Sequence, residues 1–246
     1  MKLQASGAVL ALTLAVAAPA HAQESGRGFL FGRPDWNVAL YGGFAHANAQ
    51  SDIFTFATNQ LTLNRSDFDG LSAGADLSYS LKPNLDLVFG VSYSGSDRRS
   101  EFRKFLDNNN LPIEQKTKFS RVPVTASLKW YPVSRGRSVG RFAWIPSRYA
   151  PFVGAGAGLM FYRFEQAGDF VDFKTSNVFN QTYTSSSWAK TAHLLAGLEY
   201  AVSPRWSLTS EARYAWAKAD LDRDFSGFKP IDLSGFATTL GFIVRF

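Results

Sequence analysis

The chain has 246 residues, of which 46% are hydrophobic, 19% are charged and none is cysteine. A mean hydropathy of −0.12 is too polar for a bundle of membrane helices, while 22 Phe, 9 Tyr and 6 Trp supply too much apolar surface for a disordered chain. Without cysteine there is no disulfide scaffold and no thiolate metal site. The net charge of +6 is not gathered into a basic stripe interleaved with aromatics, so no nucleic-acid partner is expected.

The first segment reads as an export address. Lys2 precedes an apolar run from Ala8 to Ala17, Pro19 breaks it, and Ala20-His21-Ala22 places small residues where a signal peptidase cuts. The run is too short to anchor the chain in a bilayer. Residues 1–22 are therefore expected to leave as a signal peptide, giving a mature chain of 246 − 22 = 224 residues with a net charge of 25 − 20 = +5. Residues 23–34 then form a short lead-in, and 35–246 read as one domain.

After residue 34 the dominant period is two. Trp36, Val38, Leu40 and Phe44 share one face of a first strand. Leu71, Ala73, Ala75, Leu77, Tyr79 and Leu81 alternate with Ser72, Gly74, Asp76, Ser78 and Ser80, and the turn Lys82-Pro83-Asn84 leads into Leu85, Leu87, Phe89, Val91 and Tyr93. Further runs follow at Val122–Trp130, Pro151–Phe161, Trp188–Tyr200, Trp206–Trp216 and Phe236–Phe246, for a total of eight. The connections at about 49–67, 98–118, 165–187 and 218–232 are long and polar, and they alternate with short turns. Segment 132–148 departs from this, because a short-turn position carries Arg135, Arg137, Arg141, Trp144 and Arg148. Eight strands with long loops at one end and turns at the other describe an all-β, antiparallel, up-and-down barrel with both termini at the turn end.

The two faces decide the solvent. The bulky face is almost free of charge and would be insoluble in water. The other carries mainly Gly, Ala, Ser and Thr, which fit the narrow bore of an eight-stranded barrel. The greasy face is thus expected to point into lipid, where closure also satisfies every backbone amide. Trp36, Trp130, Tyr131, Tyr200, Trp206 and Phe246 are expected to form one interfacial girdle, and Phe44, Tyr93, Phe119, Phe161, Trp188 and Trp216 the other. Arg163 and Lys190 share the outward parity near the long-loop rim, where they could meet lipid phosphates.

Eight charges have inward parity: Asp76, Asp86, Arg121, Lys129, Glu199, Glu211, Arg213 and Arg245. Four acids and four bases can neutralise one another as a plug, or line a narrow ion path. Parity alone does not say which acid meets which base. His193 has inward parity and His46 ends a strand; together they make no metal motif. His46 with Ser51 is the sole pair that could serve a hydrolase at the lipid rim. The glycines of 154–158 recur every second residue with no helix after them, so they read as close packing, not a nucleotide loop. No catalytic residue, cofactor or metal is expected. Segment 132–148 reads either as a contact with inner-leaflet headgroups or as a solvated turn.

The strand Tyr149-Ala150-Pro151-Phe152-Val153-Gly154-Ala155-Gly156-Ala157-Gly158, the Leu198-Glu199-Tyr200 and Trp206-Ser207-Leu208 pair with Glu211-Ala212-Arg213-Tyr214, and the terminal Phe242-Ile243-Val244-Arg245-Phe246 resemble the small outer-membrane β-barrels of Gram-negative bacteria, the OmpA-like and OmpX-like barrels. The resemblance covers nearly the whole mature chain. It implies an outer-membrane location, contact with outer-membrane lipid and lipopolysaccharide, delivery by periplasmic chaperones, and reading of Phe242, Val244 and Phe246 by the barrel assembly machinery. Residues 23–34 would then lie in the periplasm. Wall anchoring through the peptidoglycan-binding domain of full-length OmpA-type proteins is not expected. The expected function is a non-enzymatic barrel with a plugged lumen and four surface loops, in a structural, adhesive or surface-interaction role with no nameable ligand. A small pore or conduit like the OmpW-type barrels is the alternative, and a lipid A-modifying enzyme a second.

Overall fold

The computed structural model describes residues 28–106, 111–172, 175 and 177–246. The signal-peptide segment, with Ala20 and Ala22, lies outside the described residues, as do residues 23–27 of the lead-in. Eight strands form the barrel: β1 (Trp36–Ala47), β2 (Gly70–Lys82), β3 (Leu85–Leu106), β4 (Pro112–Trp130), β5 (Tyr149–Val171), β6 (Val178–Ala201), β7 (Trp206–Ala219) and β8 (Gly235–Arg245). Each is antiparallel to the next, and β8 pairs with both β7 and β1, which closes the ring. The N–H of Phe246 donates to the Trp36 carbonyl at 2.9 Å and seals the seam at the turn end. Both termini of the barrel lie at that end.

The parity of the sequence is the parity of the wall. Leu40, Leu77, Phe89, Leu159, Leu194, Leu240 and Phe242 are exposed on the outer surface, while Asp76, Asp86, Ser127, His193 and Glu199 are buried inside. Exposed Trp36, Trp130, Trp206 and Phe246 ring the turn end; Phe44, Tyr93, Trp188 and Trp216 ring the other. Two expected girdle members point the other way. Tyr131 and Phe119 are buried, respectively at the inner mouth and under the loops. Phe119 follows the strand parity of Arg121 inward, and Tyr131 falls just past the end of β4, where the pleat no longer dictates direction.

Two connections expected as loops are largely strand. β3 and β4 run through most of 98–118, and β5 and β6 through most of 165–187. A tilted transmembrane strand needs about 9–11 residues, so β5 with 23 and β6 with 24 residues project well beyond the bilayer as a paired hairpin. Above lipid the outer face meets water, so it becomes polar while the pairing persists. The first loop also contains a helix, α1 (Asp52–Gln60), with Ile53, Phe54 and Ala57 on its buried side.

Candidate functional site: the filled lumen

The lumen has three layers. In the middle, Lys129 on β4 reaches Glu211 on β7 at 2.7 Å and Asp76 on β2 at 3.6 Å. Arg213 lies 2.8 Å from Glu211 and 3.9 Å from Asp76, and the Tyr41 hydroxyl donates to Asp76 at 3.1 Å. Two acids and two bases are thus neutralised across the bore. The interior cavity among Tyr41, Asp76, Lys129, Glu199 and Glu211 has a volume of about 20 Å³, room for about one water. Beside this layer His193 Nε2 sits 2.8 Å from Ser127 Oγ. Gly156 makes that contact possible, because a Cβ there would lie 2.6 Å from Ser127 Oγ and 2.7 Å from the His193 ring.

The turn end is closed with the help of the 132–148 segment, which the sequence leaves either to inner-leaflet headgroups or to solvent. Arg135, in the 132–148 segment, is buried. Its Nη2 donates to Asp86 at 2.8 Å and to Ser80 Oγ at 2.5 Å, and its guanidinium lies over the Tyr131 ring at 4.6 Å. Arg245 Nη2 lies 3.2 Å from Glu199, which also accepts the Tyr131 hydroxyl at 2.7 Å. Below them Gly136–Val139 and Ala143–Pro146 form a small hairpin, joined by Leu30–Phe31. Its Trp144 is buried beneath Arg245, 5.9 Å from ring centre to guanidinium. Neither headgroup contact nor full solvation describes Arg135. Its placement follows from Asp86, a carboxylate with no solvent exposure that requires a cation. Arg137 and Arg141 remain exposed.

The loop end is filled by apolar packing. Phe54 of α1 meets Phe68, Phe119 and Phe164 at 4.7, 5.4 and 5.8 Å between ring centres. Tyr162, Phe225, Ile231 and Leu233 complete the cluster. Arg121, alone among the eight inward charges, makes no ion pair in the described network: its Nη1 donates to the carbonyls of Leu233 and Ser234 at 3.0 and 3.4 Å and pins the last loop. The Tyr162 hydroxyl holds the Asp220 carbonyl at 2.8 Å. The Asp52 carboxylate at the start of α1 accepts the Lys229 N–H at 3.0 Å, which joins the first loop to the last.

The rim pair suggested by the sequence does not form. His46 Nδ1 meets Asp69 Oδ2 at 2.7 Å, while Ser51 Oγ accepts the Asp232 N–H at 3.1 Å. Among the described residues no three His, Asp or Glu side chains gather as a metal site. Phe242 is exposed on the outer face of β8, and Phe246, exposed just past its end, continues the parity of Phe242 and Val244.

The model of the family described as "outer membrane protein beta-barrel domain" matches residues 8–246. Among curated proteins no match is found. Among solved structures the chain is similar to a major outer membrane protein from Thermus thermophilus, at 14% identity and a TM-score of 0.47 over 87% of this chain and 100% of that one. Neisserial surface protein A aligns at 17% identity and a TM-score of 0.44, over 86% and 96% of the two chains. OprG from Pseudomonas aeruginosa aligns at 14% and 0.43, over 88% and 99%. With its closed ring of eight strands, outward apolar face and a family match across nearly its whole length, the chain belongs to the outer-membrane β-barrel family and resides in the outer membrane.

Proposed function

We propose that this protein is a non-enzymatic barrel, closed to solutes, whose work is done by the rigid surface its loops and strand extensions present outside the cell. The observation that carries this reading is the size of the space left among the lumenal charges, about 20 Å³. A hydrated ion or a small metabolite needs several times the room of one water. The aromatic cap above and the Arg135–Asp86 pair below stand in series with that layer. The extracellular loops are tied to the wall by hydrogen bonds from Arg121 and Tyr162 and to each other by one from the Lys229 N–H to Asp52, which favours a fixed display over a mobile one.

Planar-bilayer recording tests the closed lumen. Purified protein inserted into bilayers should give no steady unitary current, and a reproducible conductance step that disappears in a Glu211→Ala variant would establish the pore reading instead. The reading without catalysis is supported at the rim by the separation of the one candidate pair, since His46 bonds Asp69 while Ser51 Oγ accepts the Asp232 N–H. Lipid A from cells with and without the protein should give the same acyl pattern by mass spectrometry, and an altered chain count would overturn the assignment. Phe242, Val244 and Phe246, on the lipid-facing side of the last strand, are the end we assign to the barrel assembly machinery.

A further inference from the structure

Three arginines from separate stretches of chain converge at the turn end. Arg33 precedes β1, Arg135 belongs to the segment between β4 and β5, and Arg245 ends β8. With Pro34, Pro83 and Trp144 they line a pocket of about 20 Å³. Gly136 lets Trp144 close one side of it, because a Cβ there would collide with the indole. No lining side chain carries a carboxylate.

Protein partners use only part of what these guanidiniums can donate. Arg135 Nη2 is taken by Asp86 and Ser80. With the Asn37 amide turned so that its nitrogen donates to the Trp36 carbonyl, its oxygen accepts Arg135 Nη1 at 3.0 Å. Arg245 Nη2 is taken by Glu199. Arg135 Nε, Arg245 Nε and Arg245 Nη1 are buried and make no hydrogen bond to any described residue. Two arginines that are only 5% and 2% exposed therefore keep three donors unmatched, and a buried donor without a partner carries its full desolvation penalty. Charge is unbalanced as well. Asp86 and Glu199 answer Arg135 and Arg245, whereas half-buried Arg33 reaches only the carbonyls of Lys82 and Ser80, at 2.6 and 3.4 Å. Three cations against two acids leave 3 − 2 = +1.

We propose that this pocket binds one monatomic anion of the size and charge of chloride, with Arg33, Arg135 and Arg245 as its donors. Three features favour such an ion. A volume of about 20 Å³ admits one particle near the size of a water and excludes phosphate, sulfate and organic acids. An anion accepts from donors on every side, whereas a water must also place two hydrogens on acceptors, and guanidiniums offer none. Its charge cancels the surplus of +1 and relieves the repulsion among three cations that share one small space. The ion joins the lead-in, the 132–148 segment and the last strand, so it acts as a clasp on the turn end. The site lies apart from the loops, and the inference goes beyond the display role assigned to them.

Bromide, a chloride substitute that scatters anomalously, locates the site directly. Crystals of the purified barrel soaked in sodium bromide should show an anomalous peak among the three guanidiniums. Peaks confined to exposed side chains such as Arg137 and Arg141 overturn the proposal. Urea unfolding in lipid vesicles measures the linkage, with sodium chloride exchanged for sodium gluconate at equal ionic strength. An ion that binds the folded barrel alone raises the folded-to-unfolded ratio by 1 + [chloride]/Kd, about elevenfold at ten times Kd. Arg33→Gln breaks no ion pair, so it should fold and lose the gain specific to chloride, whereas Arg33→Lys should keep most of it. Heat-modifiable gel migration checks that each variant is folded. Should Arg33→Gln not fold, the bromide peak in the wild type decides alone. Equal unfolding midpoints in chloride and gluconate, or the same chloride gain in folded Arg33→Gln, overturn the proposal.

Discussion

Replacing Arg135 by Ala is the sharpest test of how the turn end is closed. The substitution removes the cation 2.8 Å from Asp86 and leaves that carboxylate in place, with side-chain exposures of only 6% for Arg135 and 1% for Asp86. Two unit charges whose centres lie about 4 Å apart interact by roughly 4 kcal/mol at an effective dielectric near 20. Breaking a buried pair from one side costs about 3–5 kcal/mol by the same logic, because the survivor keeps its desolvation penalty. The lost cation–π contact with Tyr131, at 4.6 Å, pushes the cost toward the upper end. The loss should therefore be about 3–5 kcal/mol, measured by urea unfolding in lipid vesicles with tryptophan fluorescence and heat-modifiable migration as paired readouts. Neutralising both partners, as Arg135→Met with Asp86→Asn, should recover most of it, since a neutral amide tolerates burial far better than a lone carboxylate. A cost below about 1 kcal/mol for Arg135→Ala, or a double variant no more stable than the single, would refute the reasoning that Asp86 requires this arginine.

Four further outcomes are expected. Leu240→Arg, on the lipid face near mid-strand, should cost about 2–4 kcal/mol; its neighbour Thr239→Arg points inward beside Glu211 and should instead strain the filled lumen, so equal tolerance of the two in vesicle unfolding would contradict the wall's parity. Phe54→Ala should cost about 3–5 kcal/mol at the loop end and speed proteolysis of residues 49–69 without altering tryptophan burial in the membrane. Burial raises the pKa of Glu165, but hydrogen bonds and charge from Lys118 and Arg163 outweigh it and hold the carboxyl below its ordinary value. Its contribution is then complete above that ordinary value and lost as pH falls through the lowered one, so hydrogen-exchange protection of the outer hairpins should hold from pH 7 to about 5 and drop below about 4, with no such step from this site in Glu165→Gln. Deleting Phe246 should lower the yield of assembled barrel in cells, measured as the heat-modifiable fraction.

Much of the wall was legible because a pleat has a strict period of two. Asp76, Asp86, Lys129 and Glu199 could be placed inside from their neighbours alone, and they are inside. Their partners could not be read, since Lys129 and Glu211 are 82 residues apart and meet only through the tilt and stagger of the closed ring. The strand extensions were illegible for a different reason. Ser100, Gln115 and Thr117 point inward and Arg99, Lys116 and Lys118 outward, so alternation persists without the contrast in polarity that reveals it. Helix α1, with nine residues, is too short to declare itself by propensity and is held by the packing of Phe54. Arg135 sits in a stretch of four arginines, and only the position of Asp86 in space distinguishes it from Arg137.

The two ways of filling the bore match the two surroundings of the wall. At membrane depth the interior is wrapped in hydrocarbon, so a charge there cannot borrow water through the wall and has to meet its opposite inside; Asp76, Lys129, Glu211 and Arg213 do so across the ring. Above the bilayer the wall is wet on its outer side. A polar interior at that height would be in competition with bulk water, and each lumenal hydrogen bond would be worth little net. Apolar packing gains from that same water, and the interior there is led by Phe54, Phe119, Tyr162 and Phe164, beside the inward Ser100, Gln115 and Thr117. High salt should therefore weaken interactions among surface charges while leaving the buried ion pairs of the middle layer, which mobile ions do not reach, and the aromatic cap nearly unchanged. A barrel opened by salt alone would mean that the lumenal charges reach solvent, which is the arrangement this layering excludes.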